Sequence, residues 1–407
     1  MEDLYKPAPI AKKFLTPVIM ILIVLAVNGL IFLAGRFLFG LGGVTNLNDQ
    51  FPWGIWIAID VAAGVALAAG GFTTAMLGHI LHKDKYEVII RPALLTAMLG
   101  YTFVATSVMI DIGRYHFIWH PMIMWNGTSV LFEVATCVVI YLHVLYIEFL
   151  PIVAERFIGR VNLPGFLSKF NEPIDKLLRI LDKTLDKVMF IFIIAGIVLS
   201  CLHQSSLGTL MVITGNKMHP LWQTPVLPML FLVSAICVGL PMVIFESIVS
   251  AKSFGLKPET EVLSGMGRIM GPMLLIFLTI KIMDIAIRGA YVHLMEMNTE
   301  AVMFIVEVII GIVIPLIMFF SRKTSGTPAG LFIASACVIF GVLLNRINSF
   351  LISYTPPYAE TSYFPSLGEI SVTLGFIALE ILLFRAFVMI FPIISVPQEA
   401  KQESSIQ

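Results

Sequence analysis

Charge is scarce in this chain. Asp, Glu, Lys and Arg make up 13% of its 407 residues, against roughly 25% in soluble proteins, and the 26 basic residues balance the 26 acidic ones. With no basic surplus, nothing points to a nucleic-acid partner. Cysteine is scarcer: Cys137, Cys201, Cys237 and Cys337 each stand alone in an apolar stretch, with no CxxC pair and no CxxCH sequence. No iron–sulfur cluster or c-type haem in this chain is therefore expected, and no set of residues has metal-ligand spacing.

What is abundant is apolar length. Hydrophobic residues form 58% of the chain, and spans of about 20 apolar residues fall at 17–39, 54–81, 92–112, 129–153, 187–202, 226–248, 267–287, 301–320, 327–344 and 370–393. A spanning segment must satisfy its backbone internally, so the fold class is all-α, a polytopic membrane protein of ten helices. The first span has a basic flank (Lys6, Lys12, Lys13) but is too long for a signal peptide and no small-residue cleavage site follows, so it is expected to be retained. Nineteen Lys and Arg residues lie in one set of connections and tails, and only Arg114, Lys217, Arg288 and Arg346 in the other. The positive-inside rule then puts both termini in the cytoplasm, in what is expected to be a bacterial inner membrane.

Residues 155–186 form the longest connection, and Ile174 to Leu185 alternates apolar and charged positions at helical spacing, suggesting an amphipathic helix on the membrane surface. It divides the chain into a tail, peripheral first helix and outer loop (1–53), a first four-helix bundle (54–203), an outer loop (204–225) and a second four-helix bundle (226–345). An outer docking loop, peripheral tenth helix and cytoplasmic tail complete it (346–407).

The polar residues converge on the outer half of the first bundle. His203-Gln204-Ser205-Ser206 stands at the expected end of the fifth helix, with His219 and Trp222 beyond it; Asp60, Asp111, Arg114 and Glu133 lie at similar depth. Ionisable groups in a membrane cost roughly 2.5–3.5 kcal/mol each on insertion scales, so several at one depth need a reason. Gly, Ser, Thr, Gln and His supply hydrogen-bond donors and one titratable imidazole, which suits a quinone carbonyl: His203 and Gln204 as donors, Asp60 and Glu133 as acids. Some have a plainer reading, though Glu133, expected to be buried without an obvious local partner, does not. Asp111 and Arg114, at i and i+3, can be a mutual ion pair, and His203 a satisfied interfacial histidine. A haem held between histidines would have to use His79, His143 or His203. The first two lie far in depth from His203 and could pair only with each other, but His79 is followed by His82, Lys83 and Asp84 and reads as solvated, so no haem is expected.

The blocks Trp53 to Asp60, Arg91 to Leu95, Asp111 to Tyr115, Ser129 to Glu133, His203 to Gly208, His219 to Gln223 and Ile244 to Glu246 together resemble the NrfD/PsrC-like integral membrane subunits of respiratory oxidoreductases. Within that family they are most similar to the ten-helix, hydrogenase-2-type (HybB-like) branch. The resemblance implies a subunit that exchanges electrons between menaquinone, or another quinone, and a periplasmic ferredoxin-like Fe–S subunit. Through it the partner would be a hydrogenase, a molybdopterin-type catalytic subunit or a multihaem cytochrome c. His219, Trp222, Tyr354 and Tyr358 are the docking candidates, the last two in a long aromatic connection that suits a covered surface.

The second bundle carries Lys281, Asp284, Glu307 and Arg346, with Glu246 and Glu380 in the sixth and tenth helices and Glu148 in the fourth. These read as a structural ion-pair network or, with Glu133, as a proton path from the cytoplasm that would make quinone chemistry electrogenic. Buried acids in ten helices would also serve a secondary transporter or ion channel. Such proteins usually have an internal repeat and broken helices at midplane; here the cluster lies near one face.

Overall fold

The computed structural model describes residues 5–80 and 86–397. Ten helices among them are long and apolar enough to cross a membrane: α1 (Pro17–Phe39), α2 (Trp56–Gly78), α3 (Val88–Asp111), α4 (Val130–Phe157), α5 (Gly165–Val212), α6 (Leu227–Phe254), α7 (Thr260–Arg288), α8 (Thr299–Phe320), α9 (Pro328–Ile352) and α10 (Leu367–Ile390). The chain is a multi-pass integral membrane protein. Two short strands, β1 (Tyr5–Pro7) and β2 (Ser395–Pro397), pair antiparallel, so both ends of the described chain meet on one side, here called the terminal side.

Contacts group the helices. α2 packs on α3 and α5, and α4 on α3 and α5; α6 packs on α7 and α9, and α8 on α7 and α9. The two groups join where α5 and α2 meet α6, while α1 lies along α10, which in turn touches α2 and α3. Local chemistry sets the helix ends. Thr16 caps α1 and Ser366 with Glu369 forms a reciprocal capping box on α10, each satisfying amides that a helix start leaves unbonded. α6 and α7 end at Gly255 and Gly289 in the left-handed conformation that glycine adopts without steric cost.

One helix departs from expectation. The 174–185 segment is not a separate surface helix, and 204 is not the start of a loop: residues Asn171–Val212 form one uninterrupted α-helix of 42 residues. At 1.5 Å per residue it is about 63 Å long, twice the thickness of a bilayer's hydrocarbon core. Its charged first turns therefore project beyond the membrane on the terminal side. The hydroxyls that suggested a break bond back into the helix instead: Ser206 Oγ donates to Leu202 O at 2.8 Å and Thr209 Oγ1 to Ser205 O at 3.1 Å. Such back-bonding lets Ser and Thr persist mid-helix.

Widened π turns occur in three helices, at Trp56–Ala63, Ile309–Val313 and Asn348–Ile352, with a fourth at Met76–Ile80 at the far end of α2. Asp60 lies within the first, Glu307 just before the second and Arg346 just before the third, in keeping with the tendency of such turns to mark functional or strained positions.

α1 and α10 approach through glycine. A side-chain carbon at Gly29 would stand 2.8 Å from both Gly375 Cα and Ser371 O, so the two backbones touch. Gly29→Leu is expected to cost about 1–3 kcal/mol through overpacking, seen as a lower melting temperature of the detergent-solubilised chain. Gly42→Ala, with nothing within 4 Å, should leave it unchanged.

Candidate functional site

The helix continuity of α5 buries the residues that sequence put at a membrane surface. His203 and Gln204 are both fully buried, and Ser206 nearly so, nine or fewer residues before the helix ends at Val212. His203 Nδ1 lies 3.4 Å from the Tyr101 hydroxyl of α3, and Tyr101 meets Tyr141 of α4 edge-on at 4.4 Å between ring centroids. His203 Nε2, Gln204 Nε2 and Gln204 Oε1 have no hydrogen-bond partner among the described residues. Leaving a buried polar group unpaired costs about 1–3 kcal/mol, so three such atoms on adjacent residues mark a place for a polar ligand or water.

Glu133 is not buried as expected: it is exposed at the start of α4, on the rim of this cluster, and its Oε1 accepts from Ser206 Oγ at 2.6 Å. Ser129 caps the helix there through Phe132 N, which holds Glu133 in the first turn. Deeper in α4, Glu148 lies over Gly196 of α5, where the missing side chain makes room for its carboxylate, and it acts electrostatically on Tyr141. One turn further on, Pro151, Ile152 and Glu155 line an open 490 Å³ pocket on the terminal side with Arg91 and Asp182. Arg91 and Glu155 pair across it at 2.8 Å. Tyr101 and Tyr141 had no sequence signal beyond two tyrosines in apolar helices.

Asp60 and Asp111 belong to a second group. Asp60 Oδ2 accepts from Thr373 of α10 at 2.8 Å, and it interacts electrostatically with Asp111 and Glu380. Glu380 in turn interacts with Glu246 of α6, whose carboxylate lies beside the Thr96 hydroxyl of α3. The ion pair of Asp111 with Arg114 is absent: α3 ends at Asp111 and Arg114 is exposed. The cation there is Arg36 of α1, 2% exposed, whose Nε donates to Ile110 O at 2.7 Å and Nη2 to Ile112 O at 2.8 Å. A buried cation on the last carbonyls of a helix is favoured by their partial negative charge. No sequence pattern singled out Arg36.

The second helix group holds a closed network. Glu307 pairs with Lys281 and also accepts from Trp222 Nε1 at 3.1 Å, Asn345 Nδ2 at 2.8 Å and Asn348 Nδ2 at 2.8 Å. Arg346, fully buried, donates to Asn345 Oδ1 at 2.6 Å and Ser234 Oγ at 2.9 Å and lies over the Phe231 ring. Asp284 pairs with Arg288 at 2.6 Å and accepts from Thr224.

Of the docking candidates, only Tyr358 is exposed, at 53%, and His219 is half-buried; Trp222 and Tyr354 are buried, at 2% and 5% exposure. Trp222 is held inward by Glu307, and Tyr354 by packing on Phe51 and Trp53. Desolvation holds the His219 pKa below that of free imidazole, against the pull of Glu300. The connection between α3 and α4 exposes Trp119, Ile123, Met124 and Trp125 on the side opposite the termini.

Ten helices around two buried polar centres define a multi-pass integral membrane protein. The model described as polysulphide reductase, NrfD, matches residues 43–355; the chain belongs to the NrfD family, as its motifs indicated. It is 32% identical over 398 residues to an Escherichia coli protein named probable Ni/Fe-hydrogenase 2 b-type cytochrome subunit, with 96% of this chain and 95% of that protein covered. It is 28% identical over 382 residues to a Nitratidesulfovibrio vulgaris protein named menaquinone reductase, integral membrane subunit, covering 88% and 87%. An Archaeoglobus fulgidus protein named Hdr-like menaquinol oxidoreductase integral membrane subunit is 24% identical over 398 residues, covering 89% of each chain.

The E. coli relative's name corrects one expectation. A b-type cytochrome carries haem, so a chain without haem is no longer what the sequence leads one to expect. The usual pair of axial imidazoles must face each other across the ring. His143 is exposed, its Nδ1 against Val139 O at 2.7 Å, and His219 and His293 lie in connections outside the helix cores. His203 alone among the described histidines is fully buried, with its Nε2 unpartnered, and the side chains of His79 and His82 lie outside the described residues. The described residues thus present one free buried imidazole nitrogen but not an opposed pair, and they do not fit a bis-histidine haem.

The Glu307 network predicts a stability result. Lys281→Met leaves a buried carboxylate without its cation and is expected to destabilise the chain by about 3–5 kcal/mol. Combining it with Glu307→Gln should recover most of that loss, as read by thermal melts of both variants in detergent.

Proposed function

We propose that this chain is the quinone-reactive membrane subunit of a respiratory oxidoreductase complex, taking menaquinone or a related quinone at the His203–Gln204 cluster. The observation that carries the reading is the set of three unpartnered buried polar atoms on α5. His203 Nε2 and the Gln204 amide can donate to quinone carbonyl oxygens, which accept hydrogen bonds and have no others to offer. The relatives' names, one a menaquinone reductase integral membrane subunit and one an Hdr-like menaquinol oxidoreductase integral membrane subunit, favour the same chemistry and a catalytic partner, against a transporter.

In this reading the termini are cytoplasmic, following the Lys and Arg asymmetry of the connections, in a bacterial inner membrane. A periplasmic Fe–S subunit then covers the opposite face, where Tyr358, Trp119 and Trp125 are exposed. Electrons cross between that subunit's cluster and the quinone. Protons follow a separate route: from the open pocket at Arg91 and Glu155 to Glu148, then along Tyr141 and Tyr101 to His203. The contacts already described support that order, and a cytoplasmic proton source with a periplasmic electron partner would make the reaction electrogenic. Glu307, saturated by four donors, has no lone pair positioned to relay a proton. Asp60, Glu380 and Glu246 form a second acidic series beside α10 and are the alternative route.

Fluorescence quenching of a menaquinone analogue by the purified chain tests the site. His203→Ala is expected to weaken binding roughly ten- to hundredfold, the equivalent of about 1.4–2.7 kcal/mol for a lost buried hydrogen bond; unchanged binding would remove His203 from the site. Glu148→Gln should leave analogue binding intact while slowing quinone turnover and proton uptake by the intact complex. Equal turnover would move the proton route to the Asp60–Glu380–Glu246 series.

A further inference from the structure

The connections on the face opposite the termini bring together three ligand-type side chains, one of them more than 70 residues from the other two in sequence. His219, from the α5–α6 connection, and His293 and Glu296, from the α7–α8 connection, each present one ligand atom, and these atoms lie within 4.8 Å of one another. The local backbone builds this. Residues Ala290–Glu296 form a 3₁₀-helix, whose three residues per turn place i and i+3 in line, so His293 and Glu296 share one face. Left-handed Gly289 and Met297 bound the turn, the latter an uncommon conformation for a residue with a side chain.

His219 is brought to that face by a firmly held loop. Its N–H donates to Ser353 O at 2.8 Å, Arg288 donates to the carbonyls of Pro220 and Gln223 at 2.6 and 2.9 Å, and Trp222 is tied to Glu307. The His219 and His293 rings stand 5.3 Å apart between centroids. Glu296 already orients His293, with Oε1 2.6 Å from Nδ1, while Asn298 donates to its other oxygen at 2.9 Å.

We propose that His219, His293 and Glu296 form a divalent-cation site of the zinc type, clipping the α5–α6 connection to the α7–α8 connection. Two imidazoles and a carboxylate suit zinc's borderline preference, with water in the fourth position. Ligands at about 2.0–2.2 Å from a tetrahedral ion stand roughly 3.3 Å apart, so the cluster must tighten. His293 and Glu296 have side chains 30% and 48% exposed and can rotate inward, whereas His219 stays with its anchored loop. The site is independent of the quinone reading, because no member contacts the His203 cluster and its role is to hold the outer connections in register.

Zinc titration of the full-length, chelator-washed chain in detergent, in competition with a chromophoric chelator, tests the proposal. One ion per chain is expected. His293→Ala and His219→Ala should each weaken binding by at least about tenfold, the lower end of what loss of even a supporting group costs a metal site. Zinc should raise the melting temperature of the wild type and not of His293→Ala, since a ligand stabilises only the state that binds it. His116→Ala/His120→Ala, which removes the exposed histidines of the α3–α4 connection, should change neither readout. Wild-type affinity in His293→Ala, given an unaltered elution profile, would overturn the site, as would zinc binding that disappears with His116 and His120.

Discussion

Glu307 receives hydrogen bonds from four side chains drawn from α7, α9 and the α5–α6 connection. A carboxylate at 2% exposure in an apolar bundle is tolerable only when its charge and lone pairs are met inside the protein. Meeting them ties α7, α8 and α9 together and draws Trp222 inward. Trp222 in turn sets the path of the connection leaving α5, which fixes where α5 ends and so the depth at which His203 and Gln204 lie. The arrangement of the outer connections follows from the same pin, because His219 is three residues from Trp222 and hydrogen-bonded to the chain just after α9.

The two polar centres differ in satisfaction, and that difference separates structure from chemistry. Around Glu307 the carboxylate is met by four donors, although Arg346 Nε and Asn348 Oδ1 at the edge of the network have no partner among the described residues. Around His203 the polar atoms of two adjacent buried side chains are left over, and the neighbouring groups, Tyr101, Tyr141 and Glu148, are weak acids able to pass a proton. An unsatisfied cluster is costly to the folded chain by itself, and in the proposed reading a quinone carbonyl would complete it.

Much of the fold was legible because the bilayer imposes a length. A run of about 20 apolar residues has one structural solution in lipid, and ten such runs are present at nearly the positions of the ten helices. What misled was local polarity: Ser205, Ser206 and Thr209 read as a break, although each hydroxyl can return its bond to its own helix. For the site, His203 and Gln204 were visible as residue types, but their partners Tyr101 and Tyr141 were not, since a tyrosine in an apolar helix is ordinary. Arg114 drew attention by its spacing from Asp111, whereas Arg36, more than 70 residues away, is the cation that reaches the end of α3. Glu133 read as buried because it follows an apolar start, and no periodicity told which face of α4 it would take.

By itself the sequence determined the number of spans, their all-helical character, the asymmetry of charge across them and membership of the NrfD family, because these depend on composition and order along the chain. Only the tertiary structure decided which polar groups meet. Lys281 with Glu307, Asp60 with Thr373, and His219 with His293 are brought together by helix rotation and depth. Those variables are set by the packing of apolar faces that, in a chain so uniformly hydrophobic, leave almost no mark in the sequence.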